Sequence, residues 1–179
     1  MTTILLVRHG ETDWNVERRV QGHSDTPLND TGREQARALG AELAGEPIDA
    51  VYSSDLLRAH ETANIVAGPR GLEVTALREL RERNFGTWEG LTDAEVFAQF
   101  PRAAHGHWGD AETKYQMATR VSDAIKSIAE AHPDGCVLLI SHGGPLRAVL
   151  ARCGIDGVGR IDNCHVVRIK VDGGGIRAG

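Results

Sequence analysis

No stretch of this 179-residue chain is apolar for long enough to cross a bilayer, and the run after Met1 is too short for the apolar centre of a secretory leader. Cysteine is scarce: Cys136, Cys153 and Cys164 show neither a CxxC pair nor zinc-type spacing. An odd number of thiols and no leader predict reduced cysteines in a cytoplasmic protein, with Cys136 acting as a small buried apolar residue. A positive excess is also missing. Twenty basic residues face 25 acidic ones, for a net charge of −5. That excludes broad binding to nucleic acid or to an anionic membrane. It leaves room for a local cluster of arginine and histidine, which suits a small anionic ligand. Repeats, charge blocks and low-complexity segments are absent, and 41% apolar residues suffice for one domain with its own core.

What is present reads as alternating strands and helices. Ile4-Leu5-Leu6-Val7 and Val137-Leu138-Leu139-Ile140 are unbroken apolar runs, the pattern of central parallel strands buried on both faces. Val167, Ile169 and Val171 instead alternate with Val166, Arg168 and Lys170, which predicts a half-exposed antiparallel edge strand. Val166 and Val167 beside such an edge leave room for homodimer pairing. The tail Asp172-Gly173-Gly174-Gly175 is expected to fray.

A polar loop through Asn29 leads into a helix opened by a Thr31-Gly32-Arg33-Glu34 capping box, with Ala36, Leu39 and Leu43 on its buried stripe and Gly45 as its stop. Ala50 to Ser53 reads as a short strand, and about Asp55 to Ala67 as a helix. Ala118, Val121, Ile125, Ile128 and Ala129 share one face of a longer helix ending before Pro133, and Pro145 suits the first turn of another. The expected architecture is a single domain over 1–179, a three-layer α/β sandwich. Its central sheet is mostly parallel with an antiparallel edge strand, and ligands bind at the carboxyl ends of the central strands.

Both buried runs lead into a histidine followed by glycine: Arg8-His9-Gly10-Glu11-Thr12 and Ser141-His142-Gly143-Gly144. A cation and an imidazole at a strand end form a site for an anion and a nucleophile, and two such ends suggest chemistry on a phosphate. A phosphomonoester dianion repels nucleophiles. Positive groups must hold its oxygens while a nucleophile lies in line with the leaving oxygen. Arg58 adds a separate sign. It falls in the first turn of its helix, where a cation opposes the helix dipole by about 0.3–1 kcal/mol, and an anion bound there would relieve the conflict.

Together with Ser53-Ser54-Asp55-Leu56-Leu57-Arg58 and Leu80-Arg81-Glu82-Arg83-Asn84-Phe85-Gly86-Thr87-Trp88-Glu89-Gly90, these segments resemble the histidine phosphatase superfamily, which includes cofactor-dependent phosphoglycerate mutase. The resemblance runs in order from Thr3 to about Leu150. It implies that the two histidine strands are neighbours. His9 is then the nucleophile that forms a phosphohistidine, and Arg8 and Arg58 clamp the phosphate oxygens. His142 donates to the phosphoryl group beside the Gly143 amide, and Glu82 acts as general acid and then base. Asn15, Gln21 and Gly22, spaced Asn-x-x-x-x-x-Gln-Gly, are expected on the phosphate. No cofactor and no metal are required.

Plainer readings exist for each residue: a strand-capping histidine, a solvated arginine, ordinary loop polarity. Their coincidence weighs against them. Leu77-Arg78-Glu79 repeats the triplet Leu80-Arg81-Glu82, so Glu79 rivals Glu82 as the acid, and the spacing to Phe85-Gly86 favours Glu82. Trp88 reads as a core or hinge aromatic. His105 and His107, with Trp108 and Asp110, could be a metal pair, but no further ligand motif accompanies them, and they read as surface or lid residues.

The segment from about Leu91 to Tyr115 is expected to be a short lid over the pocket. In the mutases it is longer and basic. A short lid admits water, which favours a phosphatase acting on a small phosphorylated metabolite; a mutase-type isomerase and a phospho-ligand binding module or phosphoprotein phosphatase are the alternatives. Ala111-Glu112-Thr113 stands where the family has Gly-Glu-Ser, keeping the hydroxyl and losing the glycine. Phe97, Phe100 and Trp108 either pack the lid or favour a bulky substrate. Glu82→Gln is expected to slow turnover by about 10²–10⁴ with phosphate binding retained; a larger loss in Glu79→Gln would reverse the assignment of the acid.

Overall fold

The computed structural model describes residues 1–101, 109–173 and 175–179. Its strands are β1 (Thr2–Arg8), β2 (Ala50–Ser54), β3 (Val74–Leu77), β4 (Cys136–Ser141), β5 (Val166–Asp172) and β6 (Gly175–Ala178), in the sheet order β3-β2-β4-β1-β5-β6. The first four in that order run parallel; β5 and β6 run antiparallel to their neighbours. The helices are α1 (Asp13–Val16), α2 (Asp30–Glu42), α3 (Leu57–Ala67), α4 (Asp93–Gln99), α5 (Lys114–Ala131) and α6 (Gly143–Arg152). None of the described helices is long and apolar enough to cross a membrane.

The unbroken apolar runs are explained by cover on both faces. Ile4 and Leu6 of β1, with Val137 and Leu139 of β4, pack against Val121, Ile125, Leu146 and Val149 of α5 and α6. Leu5, Val7, Leu138 and Ile140 face the other way, against Leu39, Ala59, Ala63 and Val66 of α2 and α3. This is the three-layer sandwich with a mostly parallel sheet that the sequence pattern implies.

Several local expectations are corrected. The residues 166–171 do run antiparallel, but they are not the edge: β6 pairs outside them, from Ile169 opposite Ala178 to Asp172 opposite Gly175. Of the tail expected to fray, Asp172 and Gly175 are paired in the sheet, and Gly174 lies outside the described residues. Helix α2 is capped two residues before the expected Thr31, because the Asn29 side chain accepts from the Gly32 amide at 2.8 Å. The loop after β1 holds the short helix α1, in which Thr12 and Asn15 cap one another. Helix α3 starts at Leu57, after Asp55 has turned aside to pair with Arg81.

The start of α2 lies tight against the loop that follows β1. A Cβ on Gly32 would stand 2.1 Å from the Glu11 carbonyl oxygen, whereas one on Gly40, further along the same helix, would meet nothing nearer than 3.8 Å. Alanine ordinarily stabilises a helix over glycine by about 0.5–1 kcal/mol. Gly40→Ala should show that gain in urea unfolding, while Gly32→Ala should lose about 1–3 kcal/mol to the backbone clash.

Candidate active site

β1 and β4 pair with Arg8 opposite Ser141, so His9 and His142 leave the sheet side by side. The His9 amide extends the ladder, donating to the Ser141 carbonyl at 3.0 Å. The two imidazoles meet edge-on, with ring centroids 5.1 Å apart. His9 Nδ1 lies 2.7 Å from the Gly10 carbonyl oxygen. A carbonyl only accepts, so Nδ1 carries the proton and Nε2 keeps its lone pair. Burial, then the charges of Arg58 and Arg8, hold the His9 pKa well below the usual 6.5. His142 is lowered in the same way by burial, Arg58, His9 and Arg8.

Two buried arginines flank this pair, and neither has a carboxylate partner among the described residues. Arg8 Nη1 donates to the Ile161 carbonyl at 2.6 Å. Arg58 is fully buried and donates to the carbonyls of Ser24 at 2.9 Å and Gly22 at 2.8 Å. Burial is the first cause that brings the pKa of each down to about 10; Arg160 adds to it at Arg8, and the charge of Glu82 opposes it at both. Even so, both remain charged at neutral pH. The Nε atoms of both arginines and the two ring nitrogens of His142 are buried without a hydrogen-bond partner among the described residues. Such groups are costly unless a ligand takes them.

The expectation that an anionic ligand relieves the helix-dipole conflict at Arg58 is corrected, since the protein supplies its own anion. The Leu57 amide at the start of α3 donates to Asp25 Oδ1 at 2.6 Å. The Arg58 side chain reaches the cavity with its charge unspent.

Glu82 lies across the N-terminus of α6. Its oxygens accept from the Arg83 amide at 2.8 Å and the Gly144 amide at 3.0 Å. A Cβ on Gly144 would fall 2.0 Å from that carboxylate, so the second glycine after His142 is the space in which the acid sits. Glu79 is exposed and off the cavity wall; its carbonyl accepts from Arg120 at 2.8 Å. A cavity of about 500 Å³ is lined by Arg8, His9, Asn15, Gln21, Gly22, Arg58, Glu82 and Gly143. His142, fully buried, completes the predicted set from behind that wall, through its contact with His9.

The loop residues divide by function. Asn15 turns its carbonyl oxygen to Thr12 and to Asn163, which also donates to the His9 carbonyl at 2.8 Å. Gln21 accepts from Thr26 at 2.8 Å. Gly22 serves Arg58 through its carbonyl, and its φ of +50° and absent Cβ admit the Glu89 carboxylate. Glu89 in turn accepts from the amides of His23, Ser24 and Phe85. Its role was missed, as was that of Arg120, which donates to the carbonyls of Arg81 and Glu82 at 2.7 Å each and pairs with Glu112. Both are solvent-facing in pattern, and their partners lie far along the chain. Thr113 keeps its hydroxyl as the cap of α5. Trp88 is buried and stacks on Phe100, as a core aromatic should. His105, His107 and Trp108 lie outside the described residues. Among the described residues no three His, Cys, Asp or Glu gather as a metal-ligand set.

The model of the histidine phosphatase superfamily, branch 1, matches residues 4–178. The chain belongs to that superfamily. Within it, a phosphoglycerate mutase-like protein 4 of Arabidopsis thaliana is 40% identical over 83% of this chain and 70% of its own. A metal-independent phosphoserine phosphatase of the same plant is 39% identical over 85% and 68%. Among solved structures, Bacillus stearothermophilus YhfR superposes with a TM-score of 0.92 at 35% identity, covering 99% of this chain and 95% of that one.

The depressed histidines set a pH dependence of stability. Unfolded, each imidazole takes a proton near pH 6.5; folded, each resists it. The unfolded state thus binds more protons as the pH falls below that value. Stability is full above pH 6.5 and declines below it by up to about 1.4 kcal/mol per pH unit for each histidine. Urea unfolding between pH 7.5 and 5 should show a steeper decline in the wild type than in a His9→Gln, His142→Gln double variant, and parallel curves would contradict it.

Proposed function

We propose that this histidine phosphatase family member is a metal-independent phosphatase that hydrolyses small phosphomonoesters through a phosphohistidine on His9. One observation carries the reading. A histidine with a free Nε2 lines a cavity with two guanidinium groups, and a second imidazole touches it from behind; neither guanidinium has a carboxylate partner, nor that imidazole a hydrogen bond, among the described residues. That is a nucleophile set among donors for an anion.

The geometry supports the following steps. The phosphoryl oxygens accept from Arg8, Arg58, His142 and the Gly143 amide, which lowers the charge that would repel a nucleophile. His9 Nε2 attacks phosphorus; its Nδ1 proton, held by Gly10, steadies the ring as positive charge develops on it. The bond from phosphorus to the bridging oxygen breaks, and Glu82 gives that oxygen its proton, so the alcohol leaves neutral. A water then enters on the side the alcohol vacated. Glu82 takes its proton, the water oxygen bonds to phosphorus, the P–N bond breaks, and inorganic phosphate departs with His9 restored.

The phosphatase reading is favoured over a mutase because a mutase must keep the phosphoryl group from water, and the segment between Leu91 and Tyr115 is short for that task. The named activity of the 39% identical plant phosphatase agrees. A small phosphorylated metabolite is the expected partner. The three cysteines are free, in keeping with a reducing cytoplasm.

Phosphate release should be measured from a panel of small esters in the presence of a chelator. The wild type should turn over and His9→Ala should not, and quenched wild type should carry an acid-labile, alkali-stable phosphoryl group that His9→Ala lacks. Transfer of the phosphoryl group between the hydroxyls of phosphoglycerate without release would instead establish the mutase.

A further inference from the structure

A second cavity, of about 750 Å³, opens between the start of α5 and the outer face of α6. It meets the first at three residues that line both, Glu82, Phe85 and Arg147. Its surface is apolar for most of its extent, formed by Met117 and Ala118 of α5 and by Ala148 and Ala151 of α6. Around it stand Lys114, Arg147 and Arg152, whose side chains make no hydrogen bond or ion pair among the described residues. In a chain of net charge −5, three unpaired cations around one groove are a local excess that the fold itself does not use.

Arg147 is the junction. A Cβ on Gly143 would lie 3.3 Å from Arg147 Nη1 and 3.7 Å from Arg8 Nε, so the two guanidinium groups border the same glycine. Arg8 faces the phosphate side, and Arg147 also borders the groove. Glu82 stands on the wall common to both spaces. An ester whose bridging oxygen is protonated by Glu82 must therefore have its phosphate on one side of that carboxylate and its alcohol on the other, and the groove is the space on the other side.

We infer that this groove receives the leaving alcohol, and that the preferred substrates are phosphomonoesters whose alcohol joins an apolar body to a second anionic group paired with Arg147. The inference rests on the phosphatase reading above. The apolar floor buries the body of the alcohol, and the carboxylate or other anion on it takes the charge-assisted contact that Arg147 lacks. Lys114 and Arg152 add attraction at the rim, where solvent screens them more.

The test compares kcat/KM for 4-carboxyphenyl phosphate, phenyl phosphate and ethyl phosphate in wild type, Arg147→Gln and Ala151→Phe, with inhibition by inorganic phosphate measured beside each. Ala151 is exposed, so a phenyl ring there fills the groove without entering the core. The wild type should favour the carboxylated aryl ester over phenyl phosphate. Arg147→Gln should cut that preference by about 10-fold or more, the worth of one charge-assisted bond. Ala151→Phe should lower both aryl esters relative to ethyl phosphate. Equal kcat/KM for the two aryl esters in wild type, or a loss in Arg147→Gln shared equally by all three, overturns the groove and leaves the phosphatase standing. If the wild type releases phosphate from none of them and from no other ester, both readings fall together.

Discussion

The parallel register of β1 against β4 is the constraint on which the site depends. It sets Arg8 opposite Ser141, and the ladder closes one step further with the His9 amide on the Ser141 carbonyl. A shift by one residue would turn alternate side chains to opposite faces and separate the two imidazoles. The register is enforced by burial, because Ile4, Leu6, Val137 and Leu139 must meet α5 and α6 while Leu5, Val7, Leu138 and Ile140 meet α2 and α3. The apolar core and the pairing of the histidines are thus one fact seen from two sides.

Above that frame the fold holds positive charge in a dry place without cancelling it. Arg8 and Arg58 are tied by carbonyl oxygens, which fix their direction and leave their charge available. The carboxylates nearby are committed elsewhere: Asp25 to the start of α3, Glu89 to the amides of the loop that carries Gly22, Glu82 to the amide of Arg83 and to that of Gly144 at the start of α6. The same charges keep both histidines neutral, and a neutral imidazole is the form that attacks. Under the proposed function, an anion entering the cavity would offset the desolvation of these groups.

The layered sheet, the strand-end histidines and the arginine of α3 were legible because each is written locally: an apolar run, a residue at its end, a glycine after it. Spacing favours Glu82 over Glu79, and of the two it is Glu82 that lines the cavity. What escaped depends on distance along the chain. Arg120 lies 38 residues from the carbonyl of Glu82 that it holds, and Asn163 lies 154 from the carbonyl of His9. Nothing in the sequence around either announces the partner. The outer strand β6 escaped for another reason, since Gly175, Arg177 and Ala178 surround the lone strand former Ile176 and pair because β5 offers them an edge.

The segment from Leu91 to Gly109 is fastened where it leaves the site and where it returns. At its start Gly90 and Leu91 are laced to Val20 and Arg19; at its end Asp110 and Glu112 bond to the backbone of Phe85 and Asn84. The loop bearing Glu82 is therefore closed by bonds that do not pass through the intervening chain. The place of Glu82 in the cavity wall is thus tied down from both ends of that segment.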